Sequence, residues 1–303
     1  MRPAFVVDKT RRQLYASDFC IFPRIREIMP TAPLLALNDS HEIPALGFGT
    51  YPMNDQEVEA AVQAALLIGY RLIDTAARYG NETGVGHALK DTDVERKDIF
   101  LATKLRGADQ GYDATLKGLD GSLQRLNVNY VDLYLIHWPL PEKDLYVESW
   151  KAMIAAQKDG KIRSIGVSNF KPAHLERLIQ ETGVAPAVNQ IELHADFQQA
   201  DMRRFNAQHG ILTQGWRPLG KNLMDNPVIV ALAEKHNRTP AQIMLRWFTQ
   251  NDIIPIPKSS NPDRMRANLN IFNFTLDDSD LAAFAGLEAG NRLGGDPDTH
   301  AEE

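Results

Sequence analysis

Short apolar runs alternate with longer amphipathic segments from Leu34 onward. An opening hairpin pattern, with Asn38 and Asp39 at its turn, comes first. Eight apolar runs follow, and each is too short for a helix and is bounded by polar or turn-forming residues. They cover residues 46–51, 71–76, 99–104, 131–138, 164–170, 187–194, 211–216 and 253–259. We interpret each run as a buried β-strand.

The segments between these runs show helical spacing and recognisable helix ends. Asn54 is placed to cap a helix that Gly69 stops, and Asp113 begins another whose leucines form one stripe. Thr239 followed by Pro240 has the pattern of a third helix start. Strict alternation of strand and helix predicts a parallel sheet that is covered by helices.

Eight strand and helix units favour a closed α/β barrel, the (β/α)8 or TIM barrel, with an N-terminal β-hairpin. Residues 275–287 read as an extra C-terminal helix, and a polar tail follows from Asn291. An open Rossmann sheet is the alternative, and its first strand should run into GxGxxG. The first strand here runs into GFGTYPM, which lacks the third glycine and the helix start.

Residues 1–30 mix charges and aromatics without a helical or alternating period. We therefore expect them to be an extension outside the fold, and residues 31–303 to form a single barrel domain. The stretch that follows Met29 directly is a plausible beginning of the fold by itself, which suggests Met29 as the point where translation starts. The intact mass of the native protein tests this hypothesis, since a mass that matches all 303 residues would contradict it.

Composition excludes several classes of protein. The net charge of −6 argues against a nucleic-acid partner, because binding to a phosphate backbone depends on many Lys and Arg contacts. The one cysteine, Cys20, cannot form an internal disulfide, and no apolar stretch approaches the roughly 20 residues that cross a bilayer. We expect a cytoplasmic protein without a membrane or nucleic-acid partner.

Polar or hydrogen-bonding residues stand at the end of nearly every predicted strand. All parallel strands of a barrel end on the same rim, where barrel enzymes place their chemistry. The set therefore converges on one mouth, with the phenol of Tyr79 nearby. It comprises Tyr51, Asp74, Lys104, His137, Ser168, Asn169, Gln190, Trp216, Lys258 and Ser259.

Three of these residues, together with Tyr79, form a set that can deliver a proton to one oxygen. Lys104 is expected to lower the pKa of Tyr79 by stabilising its phenolate, and Asp74 to keep the buried ammonium charged. His137 can hold a substrate oxygen toward Tyr79. Taken singly, each residue is as well explained as a cap, a surface group or a satisfied structural histidine, so the prediction depends on the whole set.

Metal and hydrolase motifs are not found in the sequence. It contains no HExxH and no cysteine cluster, and His194, His209 and His236 fall on different elements without ligand spacing. GVSNF matches only the first half of a GxSxG elbow, so Ser168 is a poor candidate for a nucleophile.

The chain resembles the aldo-keto reductases from about Leu34 to its end. The matching stretches, in order, are GFGTY, DTAARYGNE, TKL, IHWP, GVSNF, VNQIELH, PLG and IPKSSNPDRMRANL. It is most similar to the bacterial branch that includes 2,5-diketo-D-gluconate reductases. The resemblance implies a monomeric barrel enzyme that transfers hydride from NADPH to a small-molecule aldehyde or ketone, possible substrates including keto-sugar acids such as 2,5-diketo-D-gluconate.

The resemblance also implies a role for each matching residue. Tyr79 would be the general acid, Asp74 and Lys104 the pair that tunes it, and His137 the residue that orients the carbonyl. Trp216 would stack on the nicotinamide, and Lys258, Ser259 and Arg264 would bind the 2′-phosphate of NADP. The remaining cofactor contacts would be Gly49, Thr50, Tyr51, Ser168, Asn169, Gln190, Arg217, Pro218, Leu219 and Asn268. Tyr51, Arg106, His137 and Trp138 would line the substrate end.

This chain departs from the family pattern at several positions. Arg217 follows the stacking aromatic where many relatives have Ser, and Ala267 replaces a polar side chain near adenine. Ala195 stands where Pro is usual. Arg106 replaces an aromatic that faces the substrate, which leads to the hypothesis that carboxylated or polyhydroxylated substrates are favoured. Two other functions stay open: a non-catalytic nicotinamide-nucleotide-binding regulator, and an unrelated barrel isomerase or lyase.

Overall fold

A computed structural model describes residues 31–302, and the expectation for residues 1–30 lies outside this range. Eight parallel strands pair with one another in chain order. The Gly49 amide donates to the carbonyl of Pro257 at 3.0 Å, which joins the first strand of this sheet to the segment after the last. The strands are β3 (Gly47–Gly49), β4 (Leu72–Asp74), β5 (Phe100–Leu105), β6 (Val131–Ile136), β7 (Ile162–Ser168), β8 (Val188–Glu192), β9 (Leu212–Trp216) and β10 (Ile253–Ile256). The predicted barrel is confirmed.

Helices follow the strands, and five of the ten described helices begin at a residue whose side chain caps the first turn. Asn54 and Glu57 form a reciprocal capping box at the start of the first helix, and Gly69 ends it, as predicted. The third helix begins at Tyr112, one residue before the expected Asp113. The helices are α1 (Asp55–Ile68), α2 (Glu82–Lys90), α3 (Tyr112–Leu126), α4 (Tyr146–Lys158), α5 (Pro172–Thr182), α6 (Ala200–Gln208), α7 (Pro227–His236), α8 (Pro240–Gln250), α9 (Pro262–Leu269) and α10 (Asp278–Ala285).

The predicted hairpin closes one end of the barrel. Its strands β1 (Leu34–Ala36) and β2 (Glu42–Pro44) are antiparallel. Ile43 is fully buried and packs in one apolar cluster with Leu72, Leu133 and Ile254 from the barrel strands. The hairpin thus seals the interior from below and leaves the opposite rim open for a site.

A larger apolar cluster lies between the sheet and the helices. Trp150 of α4 is its largest fully buried side chain. Strand register sets the rim: Gly49 pairs with Asp74, and Ser168 pairs with Gln190. The polar strand-end residues are therefore held at one level by backbone hydrogen bonding.

Within residues 31–302 no helix combines the length and apolar character that a membrane span requires.

Candidate active site

A cavity of about 640 Å³ opens at the carboxyl ends of the strands. Catalytic sites of such barrels lie at this face. Most of its lining comes from strand ends and the turns that follow them, and the rest from the last part of the chain. The lining includes Asp74, Tyr79, His137, Trp138, Ser168, Asn169, Gln190, Trp216 and Lys258, together with Leu293, Gly294, Gly295, His300, Ala301 and Glu302.

Lys104 lies behind this cavity and is fully buried. Its ammonium donates to Asp74 Oδ1 at 2.6 Å and to the Thr75 carbonyl at 3.0 Å. A third contact reaches the Tyr79 hydroxyl at 3.4 Å. The other oxygen of Asp74 accepts the Gln190 amide at 2.8 Å, so both carboxylate oxygens are bonded. The structure brings the expected acid, ammonium and phenol together.

The pKa of Tyr79 differs from the expectation in its net direction. Burial raises this pKa above its usual value, and the neighbouring Lys104 ammonium lowers it only in part. The expected net lowering is therefore wrong in this structure, because loss of solvent outweighs the ammonium. Burial is the largest influence on Lys104 and disfavours its charge, but the contacts with Asp74 and Tyr79 together outweigh it and raise the Lys104 pKa. The phenol stays protonated, and the ammonium stays charged.

Aromatic rings form the wall around the Tyr79 hydroxyl. The His137 ring meets Tyr79 edge to face with centroids 5.7 Å apart, and Tyr51 lies 5.0 Å from Tyr79 on another side. Trp138 is largely buried beside His137. A flat, small substrate would thus lie between aromatic faces with its polar atom near a phenol and an imidazole.

Amide side chains fill the neighbouring part of the cavity. Asn169 adopts a left-handed backbone conformation, φ 64°, which an asparagine tolerates. Its amide donates to the His137 carbonyl at 3.0 Å, and its oxygen accepts the Trp216 indole at 2.9 Å. Ser168 donates to the Gln190 carbonyl at 2.9 Å. The bond to Asn169 fixes the N–H edge of the indole and with it the orientation of the ring.

The predicted cofactor residues fall into two groups. Eleven of them line the cavity: Gly49, Thr50, Tyr51, Ser168, Asn169, Gln190, Trp216, Arg217, Pro218, Leu219 and Lys258. The other three, Ser259, Arg264 and Asn268, follow Lys258 around and within α9 and are not among the described residues of the lining. The hydroxyl of Thr50 is buried and has no hydrogen-bond partner among residues 31–302. It is available to a ligand.

Arg106 does not take the place that was expected for it. Its guanidinium donates to Asp109 at 2.6 and 3.1 Å, and the side chain is half exposed. Among the described residues that line the cavity Arg106 is missing, whereas Arg78 is present. The carboxylate of Asp109, three residues away, binds the Arg106 guanidinium outside the cavity lining. In the sequence, the one sign that Arg78 lies at the cavity is its position directly before Tyr79.

The last part of the chain folds back over the mouth of the barrel. The sequence had predicted only a polar tail from Asn291, so this position is a new finding. Glu192 at the end of β8 accepts the amides of Leu293 and Gly294 at 2.7 and 2.8 Å. His194, unassigned in the sequence, lies between Glu192 and Asp196, at 3.2 and 2.5 Å. The amide of Asn291 donates to Asp196 Oδ2 at 2.7 Å, so Glu192 and Asp196 anchor the tail to the rim, and His194 links these two carboxylates.

Among the residues that the structure covers, no group of His, Cys, Asp or Glu side chains has the arrangement of a metal site.

A closed parallel barrel with a buried carboxylate, ammonium and phenol at its open mouth has the organisation of a barrel enzyme that handles protons. Residues 45–289 match the Aldo/keto reductase family. The chain belongs to this family, whose members are oxidoreductases. An aldo-keto reductase of Mycolicibacterium smegmatis is 52% identical over 269 residues, which are 88% of this chain and 98% of that protein. Methylglyoxal reductase DkgA of Escherichia coli K12 is 47% identical over 273 residues, 89% and 98% of the two chains.

Solved structures agree with this assignment. The aldo/keto reductase of Brucella melitensis superposes with a TM-score of 0.83 at 51% identity, over 85% of this chain and 100% of that one. A variant of Gox0644, solved in complex with NADPH, gives a TM-score of 0.86 at 45% identity, over 89% and 99% of the two chains.

Proposed function

We propose that this protein is an NADPH-dependent reductase that converts an aldehyde or ketone to an alcohol, with Tyr79 as the proton donor. The observation that supports it best is the buried Asp74, Lys104 and Tyr79 chain, with Lys104 Nζ 2.6 Å from the carboxylate and 3.4 Å from the phenol. The phenol of Tyr79, at the end of this row of contacts, lies in the same cavity as His137 and the amide side chains.

The residues of the cavity fit a nicotinamide nucleotide. Trp216 offers a flat face that its bond to Asn169 holds in place, and Gln190 lies beside it. The unpartnered hydroxyl of Thr50 offers a further polar contact, and Lys258 supplies a cation for a phosphate. When bound, the dihydronicotinamide supplies hydride to the carbonyl carbon.

The chain's own residues would then complete the reduction at the carbonyl oxygen. His137 and the Tyr79 hydroxyl hold this oxygen, and Tyr79 donates its proton as negative charge develops there. Lys104 stabilises the phenolate that results, and Asp74 keeps Lys104 charged. Proton return to Tyr79 from solvent closes the cycle. The raised pKa of Tyr79 means that the donor starts fully protonated at neutral pH.

Small carbonyl compounds suit the substrate end. Tyr51 and Trp138 form its aromatic sides, and Arg78 supplies the positive charge that Arg106 had been expected to supply. Similarity to the methylglyoxal reductase of E. coli supports a substrate as small as methylglyoxal. Keto-sugar acids form the second class to test, because Arg78 could pair with a carboxylate.

Replacing the phenol tests the mechanism directly. In Tyr79→Phe we expect kcat for methylglyoxal to fall by about 100-fold or more, the usual weight of a general acid. NADPH binding, followed by quenching of tryptophan fluorescence, should stay within about twofold because the variant removes one hydroxyl only. Tyr112→Phe, at the exposed start of α3, is the matched control and should match the wild type.

Unchanged turnover in Tyr79→Phe would contradict the assignment of the donor. A protein that binds NADPH but oxidises none of it with any of a panel of aldehydes, ketones and keto acids would instead be a nucleotide-binding regulator. Absence of any NADPH binding would favour an unrelated barrel isomerase or lyase.

A further inference from the structure

The side chain of Glu302 lies inside the substrate end of the cavity. Its carboxylate is only 5% exposed, and one oxygen lies 2.5 Å from His137 Nδ1. The contact is a close charge contact, and neither of these two atoms makes a hydrogen bond of good geometry among the described residues. The second oxygen accepts the backbone amide of Gly107. A buried carboxylate is costly unless it is paired in this way, so its place is specified by its contacts.

The surroundings of Glu302 favour its charged form. Burial opposes this form, but the contacts with His137 and the Gly107 amide and the positive field of Arg78 outweigh burial and lower the pKa of Glu302. Gly107 contributes by having no side chain, since a Cβ there would stand 2.9 Å from the carboxylate oxygen. The cavity wall therefore accepts an oxygen anion at this point.

Contacts of the residues before Glu302 hold the tail across the mouth and so position the Glu302 side chain. Lys171 binds Asp296 and Asp298 at 2.6 and 2.5 Å, which brings the chain back across the mouth. The ring of His300 then lies against Trp138 with centroids 3.9 Å apart. One residue, Ala301, separates His300 from Glu302, so the carboxylate is held near the site at high effective concentration.

A substrate oxygen and the Glu302 carboxylate cannot occupy the same position beside His137. We propose that Glu302 is an internal competitor of the carbonyl substrate, and that residues 300–302 must leave the cavity before a substrate can bind. This inference rests on the proposed function for its identification of the competing ligand. Because one equilibrium between the inserted and released tail precedes every binding event, the competition raises KM for all substrates by one common factor and leaves kcat unchanged.

Glu302→Gln tests the proposal, because it keeps the shape and removes the charge. We expect KM for methylglyoxal to fall by about 10-fold, the weight of a charge-assisted hydrogen bond, at unchanged kcat. Benzoate, a carboxylate probe that needs no turnover, should bind more tightly by the same factor when it is measured by calorimetry. Glu176→Gln, on the exposed face of α5, is the matched control and should leave both values unchanged.

Equal KM and equal benzoate affinity in wild type and Glu302→Gln would overturn the proposal, as would a lower kcat in the variant. The benzoate measurement keeps the two proposals apart. If no carbonyl compound is reduced, the proposed function fails, whereas tighter benzoate binding in Glu302→Gln would still support the internal competitor.

Discussion

Removing the charge of Asp74 should destabilise the fold as well as the site. Lys104 is fully buried, and its ammonium is 2.6 Å from Asp74 Oδ1. In Asp74→Asn the ammonium keeps the Thr75 carbonyl at 3.0 Å and can still use the amide oxygen, but it loses its counter-charge. The new amide nitrogen would then face the Gln190 amide nitrogen, donor against donor, where the carboxylate now accepts at 2.8 Å.

The size of the effect follows from the geometry. Coulomb's law at 2.6 Å and an effective dielectric constant of about 20 gives roughly 6 kcal/mol for the pair. The hydrogen bonds that survive reduce this value, and buried pairs that lose one partner typically cost about 3–5 kcal/mol. A loss of this size lowers the melting temperature of a domain this large by roughly 10 °C.

The pH of the measurement matters. Although burial alone would lower the pKa of Lys104, its contacts with Asp74 and Tyr79 together raise it above its usual value. The stability that this raised pKa contributes is fully present below the ordinary lysine pKa and is lost as the pH rises through the raised one. Lys104 of the wild type is charged at pH 7, so the stability from the ion pair is fully present there. Urea unfolding of the wild type and of Asp74→Asn, followed by circular dichroism, should therefore be compared at this pH.

A double-mutant cycle decides whether the ion pair is responsible. Asp74→Asn combined with Lys104→Met has no buried charge left unpaired, so it should be less destabilised than the sum of the two single variants by about 2 kcal/mol or more. Strictly additive losses, or an Asp74→Asn protein within 1 kcal/mol of the wild type, would refute the electrostatic reasoning.

Two further predictions concern packing and the tail. A Cβ on Gly84 of α2 would clash with the backbone carbonyl of Asp55, so Gly84→Ala should lower the free energy of unfolding by about 1–3 kcal/mol. Gly121→Ala, which meets only the flexible end of Arg125, should be neutral or stabilising by up to about 1 kcal/mol, and equal urea midpoints for the two variants would contradict this reading. The contacts of Glu302 lower its pKa. They therefore stabilise the inserted tail fully when the pH is above the ordinary carboxyl pKa, and this stabilisation is lost as the pH falls through the lowered pKa. Hydrogen-exchange protection of residues 296–302 should therefore drop at acid pH in the wild type, and a tail equally protected at neutral and acid pH would be inconsistent with this.

Strand positions could be predicted because each apolar run carries its own evidence. Asp74 and Lys104 were expected at the ends of such runs, and the structure has them at the end of β4 and near the end of β5. Parallel strands that end on one rim then bring both side chains near Tyr79, whatever the details of the helices. This part of the site follows from topology, and topology follows from local pattern.

Side-chain partners of long, exposed residues could not be predicted in the same way. Arg106 was expected in the substrate pocket, but Asp109 holds it outside. The net direction of the Tyr79 pKa was also missed, because it depends on how deeply the phenol is buried and not only on which charges are near. Both outcomes depend on distances of a few ångströms that sequence spacing does not encode.

The sequence by itself determined the barrel, its hairpin and the convergence of Asp74, Tyr79, Lys104 and His137, since these follow from short-range patterns and the common direction of parallel strands. Only the tertiary structure decided that Glu302 reaches His137. Residues 289–302 contain no strand and no regular helix, so their path is set by contacts with side chains far away in the chain, such as Glu192 and Lys171. Contacts of that kind exist only after the barrel has formed.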